Sequence, residues 1–159
     1  MLEYSVRFMK GMLMRIYFLH HSAIAVVLEK SLLVFDHFVC GNKGIENGSV
    51  GEEDLKSADA VYVFASHSHS DHFNAGVFKW AKVNPNITYI LDSTIKESKL
   101  LKGMPEKVTF LSRGEKFNDG YINVKEFGST DEGGSFYVEC EGTGFFHAGD
   151  FNFWHWKFF

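Results

Sequence analysis

Ala60-Val61-Tyr62-Val63-Phe64-Ala65-Ser66-His67-Ser68-His69-Ser70-Asp71-His72 joins a short apolar run directly to three histidines and an aspartate. An unbroken apolar run of this length reads as a β-strand buried on both faces. In α/β sheets, ligands bind outside the carboxyl ends of such strands. His67 and His69 are two residues apart, so in extended backbone both imidazoles face the same side. Asp71 continues that parity, and His72 follows at the start of the next element. A lone histidine is commonly a surface or core residue with its partners satisfied. Three with an aspartate in one turn offer nitrogen and oxygen donors that suit zinc, or iron or manganese.

The rest of the chain bounds what such a site serves. Its 159 residues fit one domain with a real core. The formal net charge of -4 is dispersed, and no basic stripe points to nucleic acid. Cys40 and Cys140 are far apart and form no CxxC pattern, which argues against a disulfide framework and for a reducing compartment. Lys10 and Arg15 precede an apolar stretch, but His20, His21 and Ser22 interrupt it before it resembles a secretion signal. No stretch approaches the ~20 apolar residues that span a bilayer. The expectation is a cytoplasmic protein acting on a small molecule, with neither nucleic acid nor membrane as partner.

Strands are expected over residues 15–19, 23–28 and 32–35, the last two joined as a hairpin at Glu29-Lys30-Ser31. Residues 41–51 read as a loop and 52–55 as a helical turn with acids at its start. After the strand at 60–65 comes a helix over 74–83, with Val77, Phe78 and Ala81 on one face. A strand at 87–91 and a helix at 94–101 follow, the latter stopped by Gly103 and Pro105. Further strands are expected over 108–111, 121–127, 135–140 and 144–147. Hairpins, then strand–helix–strand, then hairpins again predict an α/β or α+β sandwich.

His67-Ser68-His69-Ser70-Asp71-His72 resembles the HxHxDH motif of the metallo-β-lactamase superfamily. Leu33-Val34-Phe35-Asp36 is similar to that family's early strand ending in Asp. Phe146-His147-Ala148-Gly149-Asp150 is similar to its later strand ending in Gly-Asp. Residues 14–22 resemble the opening of the branch that includes L-ascorbate-6-phosphate lactonase and related hydrolases, and the likeness extends to residue 156. The resemblance implies an αββα sandwich over residues 14–159, of which this chain would hold the N-terminal part, with 1–13 as an extension. It implies one or two ions between the sheets. His67 and His69 would bind the first and Asp71 and His72 the second, with Asp150 bridging them. Asp36 would orient a ligand. Asp71 is also the candidate catalytic residue. The implied chemistry is hydrolysis of a small ester, lactone, amide or phosphodiester by metal-activated water. Zinc is the expected ion, with manganese or iron as alternatives.

The sequence departs from that family in two places. The family usually supplies a further histidine before Gly-Asp, but Phe127-Gly128-Ser129-Thr130-Asp131-Glu132-Gly133-Gly134 has none. Asp131 either substitutes as an oxygen ligand or sits with Glu132 in an ordinary turn. Members also run well past Gly-Asp, whereas this sequence closes on Phe151-Asn152-Phe153-Trp154-His155-Trp156-Lys157-Phe158-Phe159. So aromatic a segment implies a covering surface, such as a second copy of the chain. His147 is expected to wall or orient the site, while His20, His21, His37 and His155 are candidates for lining it. Metal binding without catalysis is the alternative reading, and redox chemistry on a di-iron site ranks third.

Overall fold

The computed structural model describes residues 3–7, 13–39, 43–97, 101 and 103–151. Its larger sheet runs in chain order: β1 (Glu3–Arg7), β2 (Leu13–Phe18), β3 (Ile24–Val27), β4 (Ser31–Phe35), β5 (Ala60–Ala65), β6 (Ile87–Asp92) and β7 (Val108–Leu111). Strands β1 to β4 pair antiparallel, and β4 to β7 pair parallel. Parallel neighbours need crossovers. These carry α1 (Glu52–Ser57), a 3-10 helix at Ala75–Lys82, and α2 (Ser93–Glu97). The smaller sheet is antiparallel, in the order β11 (Thr143–His147), β10 (Gly134–Cys140), β9 (Ile122–Gly128), β8 (Lys116–Asn118).

Strand parity explains the layering. Leu32, Val34, Val61 and Val63 pack with Leu55, Val77, Phe78 and Ile95 of the helical layer. Their neighbours Leu33, Phe35, Tyr62 and Phe64 pack with Ile122, Val124, Phe136 and Val138 of the second sheet. Both faces of β4 and β5 are therefore buried, and alternation is lost from their sequence. Among the described residues the helices cover only the larger sheet. The layers are thus α, β and β, and no described residue forms the fourth layer of the expected αββα sandwich. Phe127, Tyr137 and Phe146 stand exposed on the outer face of the smaller sheet.

The structure corrects some expected elements. The helix expected at 74–83 winds as a 3-10 helix capped by Asn74, whose side chain accepts from Gly76 N at 2.8 Å. Three residues per turn stack Val77 beneath Trp80, so Trp80 takes the buried place expected for Ala81. Strand β8 was not expected, because Lys-Phe-Asn carries too few apolar residues to register as a period. The helix expected at 94–101 is present over Ser93–Glu97, and residues 98–100 lie outside the described residues. Within the expected extension at 1–13, Glu3–Arg7 pairs with Leu13–Phe18 and adds an edge strand. The aromatic segment at 152–159 with His155, and Cys40, lie outside the described residues. No described helix is long and apolar enough to cross a membrane.

One consequence of the topology builds the site. Strands β4 and β5 are parallel with Phe35 opposite Phe64, so their carboxyl ends lie side by side. Asp36 thereby meets Ser66 at the head of the histidine turn.

Candidate metal centre

Asp36 is fully buried and forms the floor of the cluster. Its Oδ1 accepts from Ser66 N at 2.7 Å. Its Oδ2 accepts from Ser66 Oγ at 2.8 Å, His72 Nδ1 at 2.9 Å and His147 Nε2 at 2.7 Å. Burial alone would raise this acid. The charge and hydrogen bond of His147, with those from His72 and Ser66, outweigh it and hold the carboxyl well below the ordinary carboxylate range. Asp36 is thus an ionised acceptor, which fixes the protons around it. His72 carries its proton on Nδ1. Ser66 Oγ spends its proton on Asp36, so it accepts from His67 Nδ1 at 3.0 Å. In its neutral form each ring then turns an unprotonated Nε2 into the site.

Those two Nε2 atoms are buried and have no hydrogen-bond partner. A buried, unpaired lone pair is costly unless something binds it. Asp150 faces both, with Oδ2 at 3.6 Å from His67 Nε2 and Oδ1 at 3.2 Å from His72 Nε2. Four ligands bonded at ~2.0–2.1 Å in a tetrahedron stand roughly 3.3 Å apart, close to these spacings. The donors form two groups, each with its ligand atoms within 4.8 Å of one another: His67, His69 and Asp150, then His21, Asp71 and His72. An imidazole–carboxylate set of this kind fits a borderline divalent ion.

Two glycines let the second sheet close on this turn. Gly133 has φ of +77°, and a Cβ there would lie 2.1 Å from Ser66 O. At Gly149, with φ of +55°, it would lie 2.8 Å from both Gly134 O and Ser66 Cβ. Gly134 N also donates to Ser66 O at 2.9 Å. The β9–β10 turn and the segment after β11 are therefore pinned to the histidine turn, which delivers Asp150.

The structure brings all five sequence-predicted site residues together: His67, His69, Asp71, His72 and Asp150. They are not equally held. His67 and His72 are buried, whereas His69 and Asp71 are about half-exposed at 52% and 47%. Of the two acids in the histidine-less loop, Asp131 is exposed and Glu132 turns to the cluster, with Oε2 3.0 Å from His69 Nε2. His147 reaches the site through Asp36 rather than the ligand groups. His21, read from the sequence only as a wall residue, places Nε2 3.6 Å from Asp71 Oδ2. His37 is buried against Trp80 and accepts from Val50 N at 3.2 Å, apart from the donor groups. Burial, and then His20, push its pKa down to about 4.

The two floor histidines differ. Burial first, then neighbouring His72, pushes His67 down. Burial also opposes charging of His72, but the hydrogen bond and charge of Asp36, aided by Asp150 and Asp71, raise it. A proton therefore competes with any ion more strongly at His72.

No protein-family profile matches the sequence, and no curated protein sequence does either. Solved structures do match. A Parabacteroides distasonis protein assigned as a metal-dependent hydrolase superposes with a TM-score of 0.62 at 14% identity, over 93% of this chain and 66% of that one. A metallo-β-lactamase from Staphylococcus aureus superposes at 0.50 and 19% identity, over 89% of this chain and 40% of its own. This is a metallo-β-lactamase-like fold. The fold also occurs in CmlA, a diiron beta-hydroxylase from Streptomyces venezuelae, at a TM-score of 0.61 and 13% identity, over 85% of this chain and 29% of that one. The chain spans less than two thirds of the length of each of these proteins.

Proposed function

We propose that the chain is a metal-dependent hydrolase, with zinc as the expected ion and a small ester, lactone, amide or phosphodiester as substrate. The observation that carries this reading is the pair of buried, partnerless Nε2 atoms on His67 and His72, whose protonation Asp36 dictates. When bound, a pair of divalent ions supplies an acidified water and a Lewis acid for the scissile group. The chain supplies the placement. Asp36 and Ser66 hold the two imidazoles in their ligating form. Asp150 offers one oxygen to each side. Asp71 stands at the open side with Oδ2 3.6 Å from His21 Nε2 and 3.8 Å from His72 Nε2, the position from which it would serve as the catalytic carboxylate.

Elemental analysis of the purified chain, with a screen of ester, lactone and phosphodiester substrates, tests the proposal. The double change His67→Ala with His69→Ala is expected to remove bound metal and return turnover to background. Unchanged turnover in that variant overturns the reading, as does bound iron with oxygen consumption and no hydrolysis. Metal binding without turnover is the second reading. It is favoured by Glu132, which engages the His69 nitrogen that an ion would need. Bound metal with no turnover on any substrate would select it.

A further inference from the structure

We infer that His21, on the loop between β2 and β3, is a protein ligand of the ion held by Asp71 and His72. This rests on the metal-binding part of the function proposed above. His21 Nε2 lies 3.6 Å from Asp71 Oδ2, and its ring centroid is 5.7 Å from that of His72 at 81°. One ligand atom from each of the three residues falls within 4.8 Å of the others. The member at the bottom, His72 Nε2, is buried, makes no hydrogen bond and faces Asp150 Oδ1 at 3.2 Å. The exposed member, His21, closes the group from the solvent side.

The loop is built to present that ring. His21 has φ of +50°, a left-handed conformation that is uncommon outside glycine. Such conformations persist only where the surroundings enforce them, and they cluster at functional sites. Here Ala23 N donates to His20 O at 2.6 Å and Leu19 N to Ala23 O at 2.9 Å, which closes the turn. Phe38 packs edge-on against both His20 and His21. Ser22 Oγ lies 3.2 Å from His72 Nδ1 and ties the loop to the ring beneath. Apart from the Phe38 edge contact, the contacts that close the loop are made by its backbone and by Ser22, and the His21 side chain is 57% exposed. A left-handed backbone that carries a half-exposed imidazole to within 3.6 Å of a carboxylate is arranged to present a ligand.

The test is metal stoichiometry and affinity in the whole chain, stripped and then titrated with cobalt or zinc. His21→Gly is expected to weaken the ion at Asp71 and His72 by at least about 10–100-fold, the loss seen when even residues that only support ligands are removed. The same variant relieves the positive φ, so the metal-free protein should melt no lower than wild type. His21→Asp should restore binding, because a carboxylate replaces the ligand, and His21→Phe should not. Equal metal affinity in wild type and His21→Gly overturns the inference while leaving the metal centre intact. Rescue by His21→Phe also overturns it, because only a packing role would explain that result. A wild-type chain that binds no ion overturns both this inference and the function on which it rests.

Discussion

Asp36 and Glu126 are both buried acids beside the histidine turn, and they titrate in opposite directions. Asp36, at the end of β4, is surrounded by two histidines and the Ser66 amide and hydroxyl. Glu126, on β9, is hydrogen-bonded to another acid, Asp92 at the end of β6. Burial, then Asp92, push Glu126 up to about 9. Burial is nearly the same for both, with relative exposure of 0% and 1%. Partners therefore decide whether burial prevails: donors keep one carboxyl ionised against it, while at the other burial, reinforced by a second carboxyl, favours the protonated form. The ionised acid sets the proton positions of the candidate metal centre. The protonated one braces the sheet behind it, where a Cβ on Gly134 would lie 2.5 Å from Glu126 Oε1.

Asp36→Ala should break this contrast most severely. It leaves Ser66, His72 and His147 without their shared acceptor, and removing one partner from a buried ionic cluster costs about 3–5 kcal/mol. Denaturant midpoints should show that loss, and elemental analysis should show the ions gone with it. The pH dependence has a definite sign. Asp36 is lowered in the fold, so its contribution is present above its ordinary value of 3.8 and is lost as the pH falls below it.

Gly133→Ala should come next. The added methyl meets Ser66 O and His67 Cβ, and the left-handed φ resists any L side chain. Overpacking of this kind costs about 1–3 kcal/mol. The shift should push the β9–β10 turn off His67 and weaken metal binding together with stability. A variant that loses stability but binds metal as wild type would show that the turn supports the sheet and not the ligands.

Glu126→Gln tests the other acid. Glu126 is raised in the fold, so its stabilising contribution is present below about 4.5 and is lost as the pH rises toward 9. Glutamine donates to Asp92 at every pH and never ionises. The variant should therefore hold its stability better than wild type between pH 5 and pH 9, with the gap widest at the alkaline end. Equal pH profiles for the two proteins would remove Glu126 as the titrating group.

How much of this the sequence discloses follows from the range over which each feature is determined. Strand 60–65 was legible because a doubly buried strand writes itself as an apolar run. The HSHSDH turn was legible because its residues are neighbours in the chain. His21 was legible only as a candidate for lining the site, and Glu132 only as a turn residue, since they approach the cluster through the β2–β3 pairing and the β9–β10 turn, across 50 and 63 residues to Asp71 and His69 respectively. The role of Asp36 came from resemblance alone, and nothing local marks it as an acceptor for two histidines. The inward face of Glu126 was readable from the parity of Ile122, Val124 and Glu126. Its pairing with Asp92 was not, because that depends on how two sheets stack.

The parity of β9 allows one last and smallest test. Lys125 and Phe127 flank Glu126 on the same strand and point to the opposite face. Phe127 is 39% exposed, and Lys125 Nζ sits 4.5 Å from its ring centroid. An exposed contact of that kind contributes about 0.5–1 kcal/mol. Phe127→Ser should therefore cost no more than that, and it should leave the pH profile of stability parallel to that of wild type. If Phe127→Ser flattened the profile as Glu126→Gln does, the titrating acid would be sensing the outer face, and its enclosure between the sheets could not be the cause of its raised pKa. A parallel profile with a small uniform offset would locate the cause inside, in the burial of Glu126 and its contact with Asp92.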